Sequence, residues 1–392
     1  MIINRYLNDN ILADLNQKMV FIGGPRQVGK TTLAKNLGQK NYAGFTYLNW
    51  DNREHRQLII GNTLPLNEPL IVFDEIHKFK RWKNYLKGLY DVHKERLKIL
   101  VTGSSRLDIY RRGGDSLLGR YHYYRLHPFS VAEAINKKPL TISEFKELTF
   151  LSTAEVKEAF AALWEFGGFP EPFLSQNATI ARRFYRERLD RLVKEDIRDL
   201  EKIHDLSALQ ILAELLPAKV GSLFSASSLR EDLRVTHKTV TSWLDILEKF
   251  YYHFRILPFH QQAIKSLRKQ PKLYLWDWSE LPNEAAKLEN MVASHLLKFV
   301  HYLADSQGYQ AELWFIRDTA GREVDFLVTI KKQPWFAVEV KSQTMEVSPN
   351  LIYFKEKMKL AQVYQIVKTS GVDQLKSGVR VMSADKFLSS LV

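Results

Sequence analysis

The chain opens on an alternation of short, unbroken apolar runs with helix-periodic stretches. KMVFIGG (18–24) passes through a polar loop into a helical segment from Thr32 to Gln39, and FTYLNW (45–50), PLIVFDE (69–75) and LKILVTGSS (97–105) follow as further apolar runs. A strand covered on both faces shows no polar side, so such runs predict buried strands, and strands separated by helices predict a parallel α/β sheet. From 141 to 202 the period becomes helical, with Gly167-Gly168-Phe169-Pro170 as the turn between two helices.

Beyond residue 203 the pattern changes again. Two helical stretches, SALQILAELLPAK (207–219) and SASSLREDL (225–233), precede VTHKTVTSWLDILEKF (235–250) and the strand-like YYHFRILPF (251–259), an order that suggests a winged helix-turn-helix. Val240, Trp243, Leu244 and Leu247 recur at helical spacing and would face a core. Thr236, His237, Lys238, Thr241 and Ser242 would then lie on the opposite side, where they could lie along DNA or pack against protein. The last stretch is β-rich around a long helix. Four segments are therefore expected: 1–135, 136–202, 203–278 and 279–392.

The loop after the first strand, GPRQVGKTT (Gly24, Pro25, Arg26, Gln27, Val28, Gly29, Lys30, Thr31, Thr32), has Walker A spacing, with four residues between Gly24 and Gly29. The glycines permit backbone turns that aim successive N–H groups at a phosphate, and the helix start adds unpaired N–H groups and the positive end of its dipole. Lys30 would reach the β and γ phosphates of ATP and the Thr31 hydroxyl would ligate Mg²⁺. At the end of the third apolar run, Asp74 would hold Mg²⁺ and Glu75 would polarise the attacking water, as in a Walker B pair. Such a pair can also cap a helix; the loop upstream favours the metal role. Ser104, closing the next run, is placed to sense the γ-phosphate. Arg120, after Gly119 in an expected loop, is either a solvated arginine or one that neutralises transition-state charge in its own or a neighbouring subunit.

GPRQVGKTTL, VFDEIHKFKRW, LVTGSSRL and LLGRYHYYRLHPFS, in this order, resemble the AAA-type ATPase domain of a prokaryotic P-loop family in which a C-terminal domain of unknown function usually follows. GGFPEPF (167–173) and LDRLVKEDIRDL (189–200) extend the resemblance along the chain. It implies an AAA+ core with a five-stranded parallel sheet; the helical pattern within 136–202 fits a lid beside the nucleotide.

Near the carboxyl terminus GREVDFLVTI is followed by AVEVK, so Asp325 precedes Glu339 by fourteen positions and Lys341 stands two further on. Period-two alternation puts Glu339 and Lys341 on one face of a strand. The spacing resembles that of PD-(D/E)xK nucleases, and with the helix KLENMVASHLLKFV, the strand ELWFIR and the later VYQIV it implies a restriction-endonuclease-like α/β domain. On that resemblance Asp325 and Glu339 would hold Mg²⁺ or Mn²⁺, the Val340 carbonyl and Glu289 would be further ligands, and Lys341 would position the water. Acid and Lys pairs on strands are also common as plain salt bridges.

Composition limits these readings. The 392 residues carry 57 Lys and Arg against 44 Asp and Glu, a formal charge of +13 that favours a polyanionic partner such as DNA. The seven Lys and Arg between Arg182 and Arg198 are a weaker sign, because Glu187 with Arg191 and Asp190 with Lys194 stand at i,i+4 and can pair. The absence of cysteine excludes disulfides and thiolate metal sites; with no signal-peptide pattern and no bilayer-length apolar run, a cytoplasmic, non-membrane protein is expected. The leading expectation is a Mg²⁺-dependent AAA+ ATPase acting on nucleic acid, with a nuclease-like C-terminal module and a homo-oligomer or partner protein as further association. The alternative is an ATP-driven switch whose C-terminal domain is a non-catalytic binding platform.

Overall fold

Five short strands set the frame of the amino-terminal part: β1 (Met19–Gly23), β2 (Phe45–Asn49), β3 (Leu70–Asp74), β4 (Lys98–Thr102) and β5 (Tyr121–Arg125). The computed structural model describes residues 3–103, 107, 117–139, 145–198, 203, 205–260, 270–342 and 346–392. The chain forms two units, Ile2–His127 and Pro128–Val392.

In the first unit the strands run parallel in the order β2-β3-β4-β1-β5. β1 and β3 are buried at every position, as their unbroken apolar runs require. One face of the sheet is held by Phe21, Phe73, Ile99 and Val101 against Trp82 and Leu86 of the helix Trp82–His93. YHYYR, which follows the expected loop around Arg120, is the edge strand β5. It pairs with β1 from Met19↔Tyr121 to Gly23↔Arg125, and the Tyr121 ring stacks on Phe21 at 4.4 Å between centroids. An edge strand needs burial on fewer positions, so aromatic and basic residues can share it.

The second unit starts with helices. Ala154–Phe166 ends at Gly167, whose φ of 70° favours glycine, and Pro170–Ser175 and Ala178–Arg191 follow, so the expected Gly-Gly turn is a real break. Arg191 pairs with Glu187 at 2.5 Å and Lys194 with Asp190 at 3.2 Å, the i,i+4 neutralisation that the spacing suggested. The helices Leu206–Leu215, Ala226–Leu233 and His237–Lys249 lead into the antiparallel pair β6 (His253–Pro258) and β7 (Lys272–Leu275). Val240, Trp243, Leu244 and Leu247 are buried, while Thr236, His237, Lys238 and Ser242 are exposed.

β6 and β7 belong to the same sheet as the later strands β8 (Ala311–Arg317), β9 (Glu323–Ile330), β10 (Gln333–Lys341), β11 (Gln362–Val367), β12 (Asp373–Lys376) and β13 (Val379–Ser383). The order is β12-β13-β11-β10-β9-β8-β6-β7, mixed parallel and antiparallel. β6 pairs in parallel with β8 at Leu257↔Trp314 and Pro258↔Phe315. The long helix Glu284–Gln307 buries Leu288, Met291, Val292, Leu296, Phe299 and Leu303, a spacing of three and four along one stripe.

Candidate active site

The loop after β1 turns through two glycines with left-handed backbone. Gly24 has φ 151°, and a Cβ there would lie 2.4 Å from the Leu126 carbonyl oxygen; Gly29 has φ 96° and caps the helix Lys30–Asn41. Both positions therefore require glycine. Lys30 Nζ donates to the Gly24 and Pro25 carbonyls at 2.9 and 2.7 Å, and Arg5 Nη1 donates to the Val28 carbonyl at 2.8 Å, which pins the loop from the amino-terminal segment. The first turn of that helix, with its amide groups and the positive end of its dipole, begins at Lys30, an arrangement suited to polyphosphate.

Asp74 ends β3 with both of its carboxylate oxygens hydrogen-bonded. Its Oδ2 accepts from the Thr31 and Tyr47 hydroxyls at 2.8 and 2.7 Å, and its Oδ1 accepts from the Thr102 hydroxyl at 2.6 Å. The register explains the convergence: Asp74 lies opposite Thr102 on β4, and β2 runs alongside on the other edge. Burial, then the neighbouring Asp74, raises the Tyr47 hydroxyl above its ordinary range, so it stays a donor. Thr31 and Asp74 together offer hard oxygen ligands that fit Mg²⁺.

Glu75 takes a left-handed conformation with φ 57°, and its amide donates to the Thr102 carbonyl at 2.9 Å. Burial raises its carboxyl to about 7, with Lys30 pulling it down and Asp74 pushing it up. His77, with a fully buried side chain, holds Nε2 3.5 Å from Glu75 Oε2. Tyr47, Thr102, His77 and Arg5 were not singled out from the sequence. A hydroxyl closing the run LKILVT is a signal that could have found Thr102; Arg5 carries none, because its role is set by a contact across the fold.

Two expected residues stand elsewhere. Ser104 lies outside the described residues. Arg120 precedes β5, next to the start of β1, where the Met19 amide donates to its carbonyl. The phosphate loop leaves the other end of β1, a strand of five residues, or about 15 Å, away. Its guanidinium forms a bidentate pair with Asp91 at 2.8 and 3.1 Å. This placement does not fit the expected charge-neutralising role in its own subunit and agrees with the alternative of a solvated arginine, here paired with an acid on the surface.

In the second unit Asp325, Glu339 and Lys341 do converge at adjacent strands. Asp325 Oδ2 accepts from the Val340 amide at 2.9 Å, and Glu339 Oε1 pairs with Lys341 at 2.7 Å and accepts from Ser348 Oγ at 3.2 Å. Glu339 Oε2 is buried with no hydrogen-bond partner. Burial first, and Asp325 second, raise both Glu289 and Glu339 to about 7. A residue that the sequence did not mark changes the site. Lys272 of β7, 2% exposed, places Nζ 3.1 Å from Asp325 Oδ1, 3.5 Å from Glu289 Oε1 and 2.7 Å from Glu323 Oε1.

These residues do not fit the divalent ion expected of them. The oxygen of Asp325 that would face a cation already pairs with an ammonium, and Tyr274 donates to Glu289 at 2.8 Å. Among the described residues no group of three His, Asp or Glu side chains is arranged to hold a metal. The expected Mg²⁺ or Mn²⁺ set of Asp325, Glu339, Val340 and Glu289 is corrected on this ground.

Residues 16–135 match the family of the AAA domain, residues 157–290 a domain of unknown function (DUF8612), and residues 285–387 a second domain of unknown function (DUF4143). Among curated proteins the chain is similar to uncharacterized protein MJ1544 of Methanocaldococcus jannaschii, 23% identical over 348 residues, covering 83% of this chain and 75% of that protein. It is also similar to uncharacterized protein Rv2008c of Mycobacterium tuberculosis, 22% identical, covering 95% of this chain and 81% of that protein. Solved structures with similarity include the RuvB Holliday junction branch migration motor of Thermotoga maritima (16% identical, 67% of this chain, 93% of that chain, TM-score 0.32). Another is the STAND protein PH0952 of Pyrococcus horikoshii, which has a tetratricopeptide repeat sensor (14% identical, 78% and 48% covered, TM-score 0.29). The amino-terminal unit is thus similar to an AAA domain over residues 16–135, with the parallel five-stranded sheet described above. No helix among the described residues is long and apolar enough to cross a membrane.

Proposed function

We propose that the chain is a Mg²⁺-dependent ATP hydrolase whose second unit engages nucleic acid. The observation that carries the hydrolase reading is the fixing of Asp74 by the Thr31, Tyr47 and Thr102 hydroxyls beside Glu75. Thr31 and Asp74 would hold Mg²⁺, which when bound supplies charge neutralisation at the phosphates. Lys30 and the helix start bind the polyphosphate. Glu75, at the end of β3 and backed by His77, orients the water and takes its proton.

Lys30→Ala is expected to abolish ATP turnover. Glu75→Gln is expected to retain ATP binding and lose roughly 10²- to 10³-fold in kcat, the scale of general-base catalysis. Unchanged turnover in Glu75→Gln would remove Glu75 from the mechanism.

The net charge of +13 and the exposed Thr236, His237, Lys238 and Ser242 at the start of the helix His237–Lys249, followed by the β6–β7 pair, support contact with a nucleic-acid backbone through a winged-helix arrangement. A specific observation favours the non-catalytic platform over the nuclease: Lys272 pairs with the acids that a nuclease would use for metal.

A further inference from the structure

We infer that Lys272 is a tethered cation standing where a divalent metal would be needed, so that the acid cluster of the second unit is closed to metal. The inference rests on the platform reading of that unit and is independent of ATP hydrolysis. Three carboxylates from two elements converge on one Nζ: Asp325 and Glu323 from β9, and Glu289 from the helix Glu284–Gln307. An ammonium held within 3.5 Å of three acids gives them the positive charge that a metal would otherwise supply.

The rest of the cluster is balanced in the same way. Glu339 pairs with Lys341, and Glu323 Oε2 pairs with Arg317 at 2.7 Å, so four carboxylates face three side-chain cations. A divalent ion entering there would meet ammonium repulsion and too little negative charge to offset it.

The backbone also closes over the site. Gly221, at φ 74°, lies against Glu289 so tightly that a Cβ would come 3.0 Å from Oε1. The Gly221 amide donates to the Leu273 carbonyl at 3.1 Å, and the Phe224 amide donates to the Pro271 carbonyl at 2.8 Å. The segment is thereby stitched to both sides of Lys272. Approach to Glu289 from this side is blocked by main chain, which cannot swing aside as a side chain can. Lys272 escapes detection in sequence because it lies 53 positions from Asp325.

The test is Mn²⁺ titration of the full-length, nucleotide-free chain, read by electron paramagnetic resonance. The wild type and Asp325→Asn are expected to bind Mn²⁺ identically. Lys272→Ala is expected to gain one Mn²⁺ site per chain, which the added Asp325→Asn change removes. Lys272→Met, closer in volume to the lysine, serves the same purpose if the alanine variant does not fold. A wild-type Mn²⁺ site lost in Asp325→Asn would overturn the inference, as would folded Lys272 variants that gain none. If neither variant folds, the wild-type comparison with Asp325→Asn decides alone. ATP turnover by the same preparations reports separately on the hydrolase reading.

Discussion

Asp74 receives three hydroxyl hydrogen bonds from three different elements, so the carboxylate is oriented before any ligand arrives. Thr102→Val keeps the shape and removes the donor to Oδ1. A lost hydrogen bond to a charged group costs about 1.5 kcal/mol, so kcat should fall roughly tenfold while ATP affinity changes little. Steady-state turnover alongside nucleotide binding separates the two; a loss confined to affinity would place Thr102 in binding instead. Gly24 poses a backbone question. Alanine there needs both an unfavourable φ of 151° and a Cβ 2.4 Å from a carbonyl oxygen, so Gly24→Ala is expected to cost about 1–3 kcal/mol and to abolish nucleotide binding. Denaturant midpoints with and without nucleotide would show this, and wild-type values in both would refute it.

Elements that bury both faces were readable in the sequence: β1, β3 and β4 follow from KMVFIGG, LIVF and KILVT because nothing polar interrupts them. β5 was not, since YHYYR has no unbroken apolar run, and its pairing with β1 and the stacking of Tyr121 on Phe21 are made only in the folded chain. The same divide runs through the candidate sites. Lys30 and Thr31 open a helix and Asp74 ends a strand, places that spacing locates, whereas Lys272 and Arg5 act through contacts that only the folded chain creates. Buried histidines give the second unit a pH response of its own. His253 hydrogen-bonds the Leu244 carbonyl, and His295 bonds Met291 O through Nδ1 while its Nε2 accepts from the Val131 amide, an arrangement that needs the neutral ring. Burial pushes both imidazoles down to about 3. With the folded value below the ordinary 6.5, the unfolded chain takes up the protons first. Stability is therefore full above pH 6.5 and falls as pH drops towards 3, by up to about 1.4 kcal/mol per pH unit for each histidine. Denaturation of the wild type and His253→Gln at pH 7 and 5 should show a shallower acid loss in the variant; equal losses would exclude His253 as a source.

At the scale of the whole molecule, a surplus of thirteen positive charges repels itself in the compact state, keeps copies of the chain apart and lends it attraction for a polyanion, the partner of the proposed function. The exposed Thr236, His237 and Lys238 at the start of the helix His237–Lys249 offer small, polar and basic groups to such a partner, with apolar residues turned inward to hold the helix in place. Binding through phosphate contacts releases counterions, so log K should fall linearly with log salt, with a slope of about 0.9 for each phosphate neutralised on duplex DNA. Lys238→Ala should weaken binding to every duplex sequence alike and reduce the slope by about one. ATP turnover, which belongs to a different set of residues, should be unchanged in that variant in the absence of DNA. Fluorescence anisotropy with a short labelled duplex, from about 50 to 200 mM salt, measures both affinity and slope over the range where such contacts lose several decades of binding. A flat response, or no binding at the low-salt end, would transfer the second unit from a nucleic-acid platform to a protein-binding one. A normal slope that Lys238→Ala leaves intact would keep the polyanion and move its contact surface off this helix.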